Sequence, residues 1–459
     1  MTSAEPFPNR PIRELLGRVP GYSFAGDGVH TAVGNHTRTA LDLPMPSPLL
    51  SWARTYNSRG PGSGGLGRGW TSTMDARLDF ESSEGIVLHH SDGRALTFPH
   101  RPDGTYGRAT DLPAELREQA ESWQLHFFSG EVWEFDAAGR MRSRAARGQR
   151  VDCEYDSAGL LTSAVHSAGF RLELSYGAGG LLRRVVADDG RAVHYEYETA
   201  GVADAASPDI PVLSSATTPG TGATRYDSTP AGLLARVTDA DGVVLVRNDF
   251  ADVASGNPAD GRVVQQVLAG EVEVRFSYDD ANRTTAVHGP TGARTEFGHA
   301  PDGRPVRVTD ALGGTTSLRR DEDGRLIEGS TAGGTAFAQH YDEAGDLVTE
   351  TFGDATTSWT HDEAHRITSV TDPAGLRTLF TYHGDERIPA TISDPSGGIT
   401  HQVVQDGKVP PHAAPRRRDL VVRARRPRQP RHRHRTGRRE HPLRARCGRQ
   451  ARRRDERPR

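Results

Sequence analysis

The chain has 459 residues, 35% of them hydrophobic, with 51 glycines and a formal net charge of −3. This balance suits a thin, turn-rich β-structure better than a compact globule with a deep core. Its two cysteines, Cys153 and Cys447, lie far apart and have no partners at metal-binding spacing, so neither a disulfide framework nor a zinc site is supported. No stretch is apolar enough to span a membrane, and the N-terminus lacks a signal-peptide core. Localisation therefore stays open, and a specialised secretion system is one export route consistent with the sequence.

Two segments precede the regular part of the chain. Residues 1–30 are rich in proline and glycine and are predicted to form a flexible lead-in. Residues 31–134 contain alternating runs such as Trp123, Leu125 and Phe127 and are predicted to form a β-rich domain without repeats. The run from Gly62 to Gly67 fits the dinucleotide pattern G-x-G-x-x-G, but no apolar strand precedes it and no helix follows. We interpret it as a loop between strands.

One short phrase recurs from Phe135 to about Gly397: an aromatic residue, aspartate, two small residues, glycine, and arginine or leucine. It reads FDAAGR at Phe135, YDSAGL at Tyr155 and YDEAGD at Tyr341, and about twelve copies follow one another at a spacing close to 21 residues. We call this the repeat phrase. Such a period predicts a repeat array over residues 135–400 and makes an enzyme less expected.

The residues between phrases alternate as strands do. Val151, Cys153 and Tyr155 share one face, which indicates strands with one apolar side. The phrase glycine provides one turn and segments such as Asp372–Gly375 a second, so each repeat predicts one hairpin. A lone hairpin is marginal, hence neighbours must dock, and strand twist should coil the sheet. We expect the phrase aromatics to stack along the apolar face.

The repeat phrase and the mid-repeat run from Thr371 to Leu376 resemble the YD repeats of Rhs and teneurin-type proteins. The block from Leu49 to Phe80 is similar to the N-terminal β-domain of Rhs proteins. The resemblance covers residues 28–400 and implies an all-β fold, a hairpin array coiling into a partial spiral β-shell. In that family the shell encloses a C-terminal toxin. The residues that carry the resemblance are expected to be structural: Arg54, Tyr56, Asn57, Gly67, Gly69, Trp70, Tyr155, Gly159, Tyr176, Gly180, Tyr197, Tyr278, Gly303, Gly324, Tyr341, Gly345, Gly375 and Tyr382.

Two signals in the array resemble catalytic or metal-binding motifs. His361 and His365 have the i, i+4 spacing of zinc ligands, but the order His-Asp-Glu-Ala-His differs from the metalloprotease motif, and they occupy the aromatic and glycine positions of a phrase. Asp372 lies in a DPAGL run, which in Rhs proteins marks autoproteolysis, but the accompanying core signature is absent from this sequence. No nucleophile elbow occurs. We predict no catalytic, cofactor-binding or metal-binding residue.

The end of the chain differs from the rest. Residues 409–459 contain 20 arginines and four acidic residues, while the remainder carries 37 basic and 56 acidic residues. The tail has no aromatic residue for base stacking, and we expect non-specific binding to nucleic acid at most. Its composition favours a frameshifted end to a truncated array over a selected basic tail, and we predict that it is disordered.

The expected function is therefore that of a non-catalytic shell or carrier of an Rhs-type polymorphic toxin. The expected partners are a C-terminal toxin cargo and a secretion machinery. Two alternatives remain open at this point: an adhesion protein that binds carbohydrate or a cell surface, and a nucleic-acid-binding protein that acts through the arginine-rich tail.

Overall fold

The computed structural model describes residues 7, 10–60, 63–200, 210–251, 261–384 and 386–402. The chain divides into two units, Met1–Arg416 and Arg417–Arg459. The predicted arginine-rich tail lies outside the described residues, as does the frameshift proposed for it. The described chain is antiparallel β-structure with two three-residue 3₁₀ turns, Ile12–Glu14 and Ala178–Gly180, which confirms the predicted all-β fold. No described helix has the length and hydropathy to cross a membrane.

Ten short strands precede the main sheet. They pair as β1–β2, β3–β4–β7, β5–β6 and β8–β9–β10, all antiparallel. Their bounds are β1 (Phe24–Ala25), β2 (Val29–His30), β3 (Thr37–Leu43), β4 (Trp52–Asn57), β5 (Ser63–Gly64), β6 (Gly67–Arg68), β7 (Trp70–Ser72), β8 (Arg77–Asp79), β9 (Gly85–His89) and β10 (Ala95–Pro99).

The remaining 27 strands form one sheet in which every strand pairs with the next in sequence. The first and last strands do not pair with each other, so the sheet is open, as expected for a partial shell. The strands are β11 (Ala114–Glu118), β12 (Ser122–Phe127), β13 (Val132–Asp136), β14 (Met141–Ala146), β15 (Gln149–Tyr155), β16 (Leu161–His166), β17 (Arg171–Tyr176), β18 (Leu182–Ala187), β19 (Ala192–Ala200), β20 (Ile210–Thr218), β21 (Gly222–Ser228), β22 (Leu234–Thr238), β23 (Val244–Phe250), β24 (Val263–Leu268), β25 (Val272–Asp279), β26 (Thr284–His288), β27 (Arg294–His299), β28 (Pro305–Thr309), β29 (Thr315–Arg320), β30 (Leu326–Ser330), β31 (Ala336–Tyr341), β32 (Leu347–Phe352), β33 (Ala355–His361), β34 (Ile367–Thr371), β35 (Arg377–Thr381), β36 (Thr391–Ser393) and β37 (Ile399–His401).

The sheet begins before the repeat phrase does. Its first strand starts at Ala114, whereas the first phrase begins at Phe135. Strands β11 to β13 alternate apolar and polar residues without glycine-containing phrases between them, and period-two alternation is sufficient for a strand to join a ladder. The hydrogen-bonded sheet therefore begins nearer the N-terminus than the repeat phrase does.

A β-bulge recurs at the aromatic position of most phrases. The pairing register shifts immediately before Phe135, Tyr155, Tyr176, Tyr197 and Tyr341. Each bulge adds an unpaired residue, bends its strand and increases the local right-handed twist. Because the bulge repeats with the phrase, the sequence period becomes a regular curvature of the sheet.

Residues before the sheet cover one face of its first half. In the largest core cluster Trp52, Tyr56 and Trp70 pack with β15 to β24, and β8 to β10 pack with β11 to β14. The lead-in differs from the expected flexible segment, because Leu15 and Leu16 are 2% and 1% exposed. Composition did not indicate this, since a short apolar motif can be ordered by docking alone.

The second half of the sheet is covered less. Beyond Ala286, the single buried hydrophobic residue among the described ones is Ala390. Phe352, Leu379 and Ile399 in the later strands are 54%, 43% and 58% exposed. The described N-terminal strands therefore supply a core for the earlier hairpins and not for the later ones.

The sheet also curves back on its own beginning. The ring of Phe128, in the β12–β13 turn, stacks on His365 of the β33–β34 turn, with centroids 6.1 Å apart and an interplanar angle of 25°. Asp111, just before β11, accepts a hydrogen bond of 2.5 Å from Nη2 of Arg304 in the β27–β28 turn. These contacts join the start of the sheet to turns that lie 16 and 21 strands later in the sheet order.

Candidate functional site

Arg54 in β4 lies at the centre of a buried polar cluster where the N-terminal segment meets the sheet. Its Nε donates to Oδ2 of Asp42 at 2.5 Å and its Nη2 donates to the hydroxyl of Tyr226 in β21 at 2.8 Å. The side chains of Arg54 and Asp42 are 1% and 2% exposed. A charge buried this deeply requires a partner, and Asp42 provides it.

Aromatic rings enclose the same guanidinium group. Its central carbon lies 4.6 Å from the ring centroid of Trp70, 5.4 Å from that of Tyr195 and 5.2 Å from that of Tyr226, within the range of cation–π attraction. The Tyr195 hydroxyl donates to Asp42 at 2.5 Å and accepts from Nε1 of Trp52 at 2.8 Å. Burial, and then the charge of Asp42, raise the pKa of Tyr195 well above its usual range. The cluster binds the two layers together, and apart from the buried Nη1 of Arg54 its polar groups have hydrogen-bond partners.

Tyr56, Gly67, Gly69 and Trp70 support this junction. The Tyr56 hydroxyl accepts the Leu234 amide proton at 2.9 Å, and burial raises the pKa of Tyr56 to about 12. Gly69 has φ of 77°, and a Cβ there would lie 2.6 Å from the Tyr56 ring. The described part of the Gly62–Gly67 run forms the short β5–β6 pair rather than a helix entrance; Gly62 itself lies outside the described residues.

Five of the phrase tyrosines tie their hairpin to the one before it, whereas the Tyr341 hydroxyl donates to Oε1 of Gln339. Tyr155, Tyr176, Tyr197, Tyr278 and Tyr382 each donate their hydroxyl to a backbone carbonyl 14 or 15 residues earlier, at 2.6 to 2.9 Å. Burial of the ring raises the pKa of Tyr155 and Tyr278 above the usual range. These phenols therefore stay protonated and act as donors.

The phrase arginines cover these rings. Guanidinium carbons lie 5.4 Å from the Tyr155 ring, 5.1 Å from the Tyr341 ring and 4.7 Å from the Tyr382 ring. The residues responsible are Arg140, Arg325 and Arg366, each from the preceding phrase. Among the described residues the ring partners of these tyrosines are arginines, so the expected stacking of aromatics along the array is wrong. A spacing of one ring per hairpin leaves room for a side chain between successive rings.

The phrase glycines occupy the turns. Those expected to be structural have φ between 72° and 91°, a region that favours glycine: Gly159, Gly180, Gly303, Gly324 and Gly345. His365 takes the equivalent position in its phrase with φ of 60°. Gly375, in the mid-repeat turn, has φ of 78°. Their roles in the family stay a prediction.

The residues weighed for chemistry lie at strand ends and turns. Asp372 Oδ1 accepts the amide protons of Ala374 and Leu376 at 2.9 and 2.8 Å, which is the geometry of a turn-forming aspartate. His361 ends β33, and one ligand atom of His361, Asp342 and Asp346 lies within 4.8 Å of the others. The sequence had paired His361 with His365 instead. Burial raises the pKa of the Cys153 thiol to about 11, which disfavours a nucleophilic thiolate.

A second buried polar cluster was not foreseen from the sequence. Asp111 accepts hydrogen bonds from Arg10, from Arg304 and from the Tyr22 hydroxyl, the last at 2.8 Å. Burial opposes ionisation of Asp111, but the two arginines hold its pKa below the usual value. Its members are separated by up to 294 positions in the chain, and no local pattern indicates such a contact.

This arrangement defines a class of protein: an open sheet of repeated hairpins, cross-tied by tyrosine and arginine and packed on an N-terminal β-rich segment. The family described as "RHS Repeat" matches residues 341–377 and 361–399, and a "Domain of unknown function (DUF6531)" matches residues 26–98. The chain therefore contains RHS repeats over residues 341–399.

Among curated proteins, the chain is similar to "Toxin protein Tse5" of Pseudomonas aeruginosa, with 28% identity over 441 residues. The match covers 78% of this chain and 32% of the relative, so the chain spans about a third of that protein's length.

Among solved structures, the chain is similar to TcdB2-TccC3 without its hypervariable C-terminal region, with 13% identity and a TM-score of 0.37 over 82% of this chain and 26% of the other. The Photorhabdus luminescens Tc holotoxin pore gives 12% identity and a TM-score of 0.39 over 81% and 27%.

Proposed function

We propose that this chain is a non-catalytic shell segment of an Rhs-type polymorphic toxin, whose sheet partly encloses an effector encoded with it. The similarity to a toxin protein over most of this chain supports the toxin context. The chain covers a third of that relative, so the effector and its delivery are part of the proposal.

The observation that carries the proposal is the uneven cover of the sheet. The first hairpins bury their apolar side against the chain's own N-terminal strands. The later hairpins keep apolar side chains such as Phe352 and Leu379 about half exposed. By the pairing register Phe352 and Leu379 lie on opposite faces of the sheet. A passenger held against one face of these strands would cover the apolar side chains on that side.

The buried clusters support a structural role. Asp42 and Tyr226 already engage Arg54, and Arg10 and Arg304 already engage Asp111. A catalytic group needs a reactive atom that a substrate can reach. These side chains are instead hydrogen-bonded to one another across the layers of the fold.

The proposal is tested by attaching a passenger. A small folded reporter enzyme is fused to the C-terminus of the full chain, and its loss of activity under protease is followed over time. We expect slower loss than for the same reporter mixed with the chain but not linked to it. Equal rates would refute the enclosing role, and saturable binding of the unfused chain to cell-surface glycans would favour an adhesion protein instead.

A further inference from the structure

The phrase that begins at Tyr341 departs from its neighbours at two positions that touch each other. In three other phrases the turn aspartate accepts a hydrogen bond at Oδ2 from the arginine four residues later. The pairs are Asp136–Arg140 at 2.9 Å, Asp321–Arg325 at 2.7 Å and Asp362–Arg366 at 2.8 Å. In the Tyr341 phrase the corresponding residues are Asp342 and Asp346. A carboxylate thus replaces the cation that elsewhere neutralises the turn aspartate.

The next aromatic position changes as well. Arg140, Arg325 and Arg366 each lie over the tyrosine of the following phrase. After Asp346 the following phrase begins with His361 rather than tyrosine. Some phrases replace the arginine with an apolar residue such as Leu160, which removes a charge without reversing it. Reversal of the charge together with replacement of the ring by imidazole is specific to this pair of phrases among those that the structure describes.

These substitutions bring together ligands for a cation. One ligand atom each of Asp342, Asp346 and His361 lies within 4.8 Å of the others. Zinc–ligand bonds of about 2.0–2.2 Å place two ligand atoms at most about 4.4 Å apart. A small movement of these side chains would therefore bring all three ligand atoms within bonding distance of one ion. Nδ1 of His361 is shielded from solvent and has no hydrogen-bond partner among the described residues, and a shielded polar atom of this kind calls for a partner.

The surroundings also resemble those of a metal ligand. Nδ1 of His365 lies 2.9 Å from Oδ2 of Asp346, and outer hydrogen bonds of this type orient carboxylate ligands. Asp342 Oδ1 accepts the amide proton of Asp346 at 2.8 Å, which fixes the turn that carries both carboxylates. Two neighbouring carboxylates with no cation repel each other, and a bound divalent ion removes that repulsion.

We propose that Asp342, Asp346 and His361 bind a divalent transition-metal ion, with Zn²⁺ as the best fit to a mixed carboxylate–imidazole set. The ion takes the place of the phrase arginine and ties β31, β32 and β33 together. Because His365 also stacks on Phe128, the metal stiffens the region where the late hairpins meet the start of the sheet. This inference is independent of the proposed carrier role.

The experiment compares the full chain, purified without a histidine tag, with the variant Asp346→Arg/His361→Tyr. That variant recreates the pair seen at Arg325 and Tyr341, so the fold has a precedent in the same chain. Bound Zn²⁺ is counted by mass spectrometry of the metal after desalting, and the melting temperature is measured with Zn²⁺ and with EDTA. The histidines of residues 403–459 are present in both proteins, so only the difference between them is interpreted.

We expect the natural chain to hold one Zn²⁺ more than the variant and to melt at a higher temperature with Zn²⁺ than with EDTA. The variant should show no such rise. Asp346→Asn, which preserves shape, should also lose the ion, and His365→Gly should weaken binding about tenfold. Substitution of the exposed His340 by Asn serves as the control and should bind as the natural chain does. Equal Zn²⁺ content in the natural chain and both Asp346 variants would overturn the proposal.

Discussion

Arg54 and Asp42 form an ion pair from which water is nearly excluded. The attraction between such charges is largely offset by the cost of removing them from water. Removal of one partner is therefore more costly than removal of both, because it leaves the other charge buried alone. Burial by itself lowers the pKa of Arg54, but Tyr226 and Asp42 together raise it above the usual value. The guanidinium group therefore remains charged.

We expect Asp42→Ala to lower the free energy of unfolding by about 3–5 kcal/mol, measured from denaturant transitions. The double variant Asp42→Ala/Arg54→Met should recover much of that loss, because it removes the stranded charge. Asp227→Ala is the matched control: its partner Arg236 is 48% exposed, and the cost should stay below about 1 kcal/mol. A loss in the double variant as large as in the single one would contradict this account.

The phrase tyrosine supplies the same contact in a buried and an exposed setting. Tyr278 donates to the carbonyl of Val263 at 2.8 Å next to a core cluster, whereas Tyr382 donates to the carbonyl of Ile367 at 2.7 Å in contact with solvent. Water can replace the hydroxyl in the second case and not in the first.

Tyr278→Phe should therefore destabilise the protein by about 1 kcal/mol or somewhat more, since it leaves a buried carbonyl without its donor. Tyr382→Phe should cost a few tenths of that. Both are measured as shifts of the denaturant midpoint with an unchanged slope. If the two substitutions cost the same, the hydroxyl bond is not what distinguishes the two hairpins.

Among the larger elements, the lead-in depends on two neutral histidines. Burial, followed by the charges of His299 and Arg10, lowers the pKa of His30 to about 3, and burial lowers the pKa of His299 to about 4. His299 Nδ1 donates to the Arg283 carbonyl at 3.1 Å, which leaves Nε2 to accept from the Thr31 hydroxyl at 3.0 Å. Protonation of Nε2 would break that second bond.

Stability should fall as pH falls. The unfolded chain takes up protons near pH 6.5 and the folded chain does not until pH 3 to 4, so protonation favours unfolding below pH 6.5. His299 alone should account for about 2 kcal/mol between pH 7 and pH 5. His299→Asn should flatten the pH profile of unfolding free energy over that range, and the exposed His194→Asn should leave it unchanged. Identical profiles for the natural chain and the His299 variant would rule out this linkage.

The sequence predicted the parts of the fold that depend on local pattern. Alternation around Tyr155 and Tyr176 specified strands, and glycines such as Gly159 specified their turns, so one hairpin per phrase was accessible from sequence alone. The bulge before most phrase aromatics was not, because it depends on how two strands pair. The packing of Arg54 against Tyr226, 172 positions later, was inaccessible for the same reason: burial is a property of the assembled layers.

In the candidate sites, too, local sequence patterns were predictive and contacts between separate hairpins were not. The register correctly placed His361 at a strand end and His365 at a turn. It gave no sign that Asp342 and Asp346 would approach His361, because that contact crosses from one hairpin to the next. The site could have been found by comparing the repeat phrases with one another instead of with known motifs. Asp346 and His361 occupy positions at which other phrases have arginine and tyrosine.

Across the whole described sheet, the hydrogen-bond ladder is uniform but the apolar cover is not. Every strand from β11 to β37 pairs with its neighbours in sequence. Buried hydrophobic residues are frequent up to Ala286 and give way to half-exposed ones beyond it. Backbone pairing alone stabilises a hairpin only marginally in water. The free energy of local opening of a strand should therefore depend on how much of its apolar surface is buried, not on its backbone hydrogen bonds.

Hydrogen exchange measured by mass spectrometry tests this gradient within one molecule. We expect amides of β15 to β26 to exchange much more slowly than those of β29 to β36, because opening the earlier strands exposes the core around Trp52 and Trp70. The two regions share the same ladder geometry and so serve as controls for each other. Addition of Zn²⁺ should slow exchange in β31 to β33 in particular if the metal is bound there. Uniform exchange across the sheet would show that pairing, and not burial against the N-terminal strands, governs its stability.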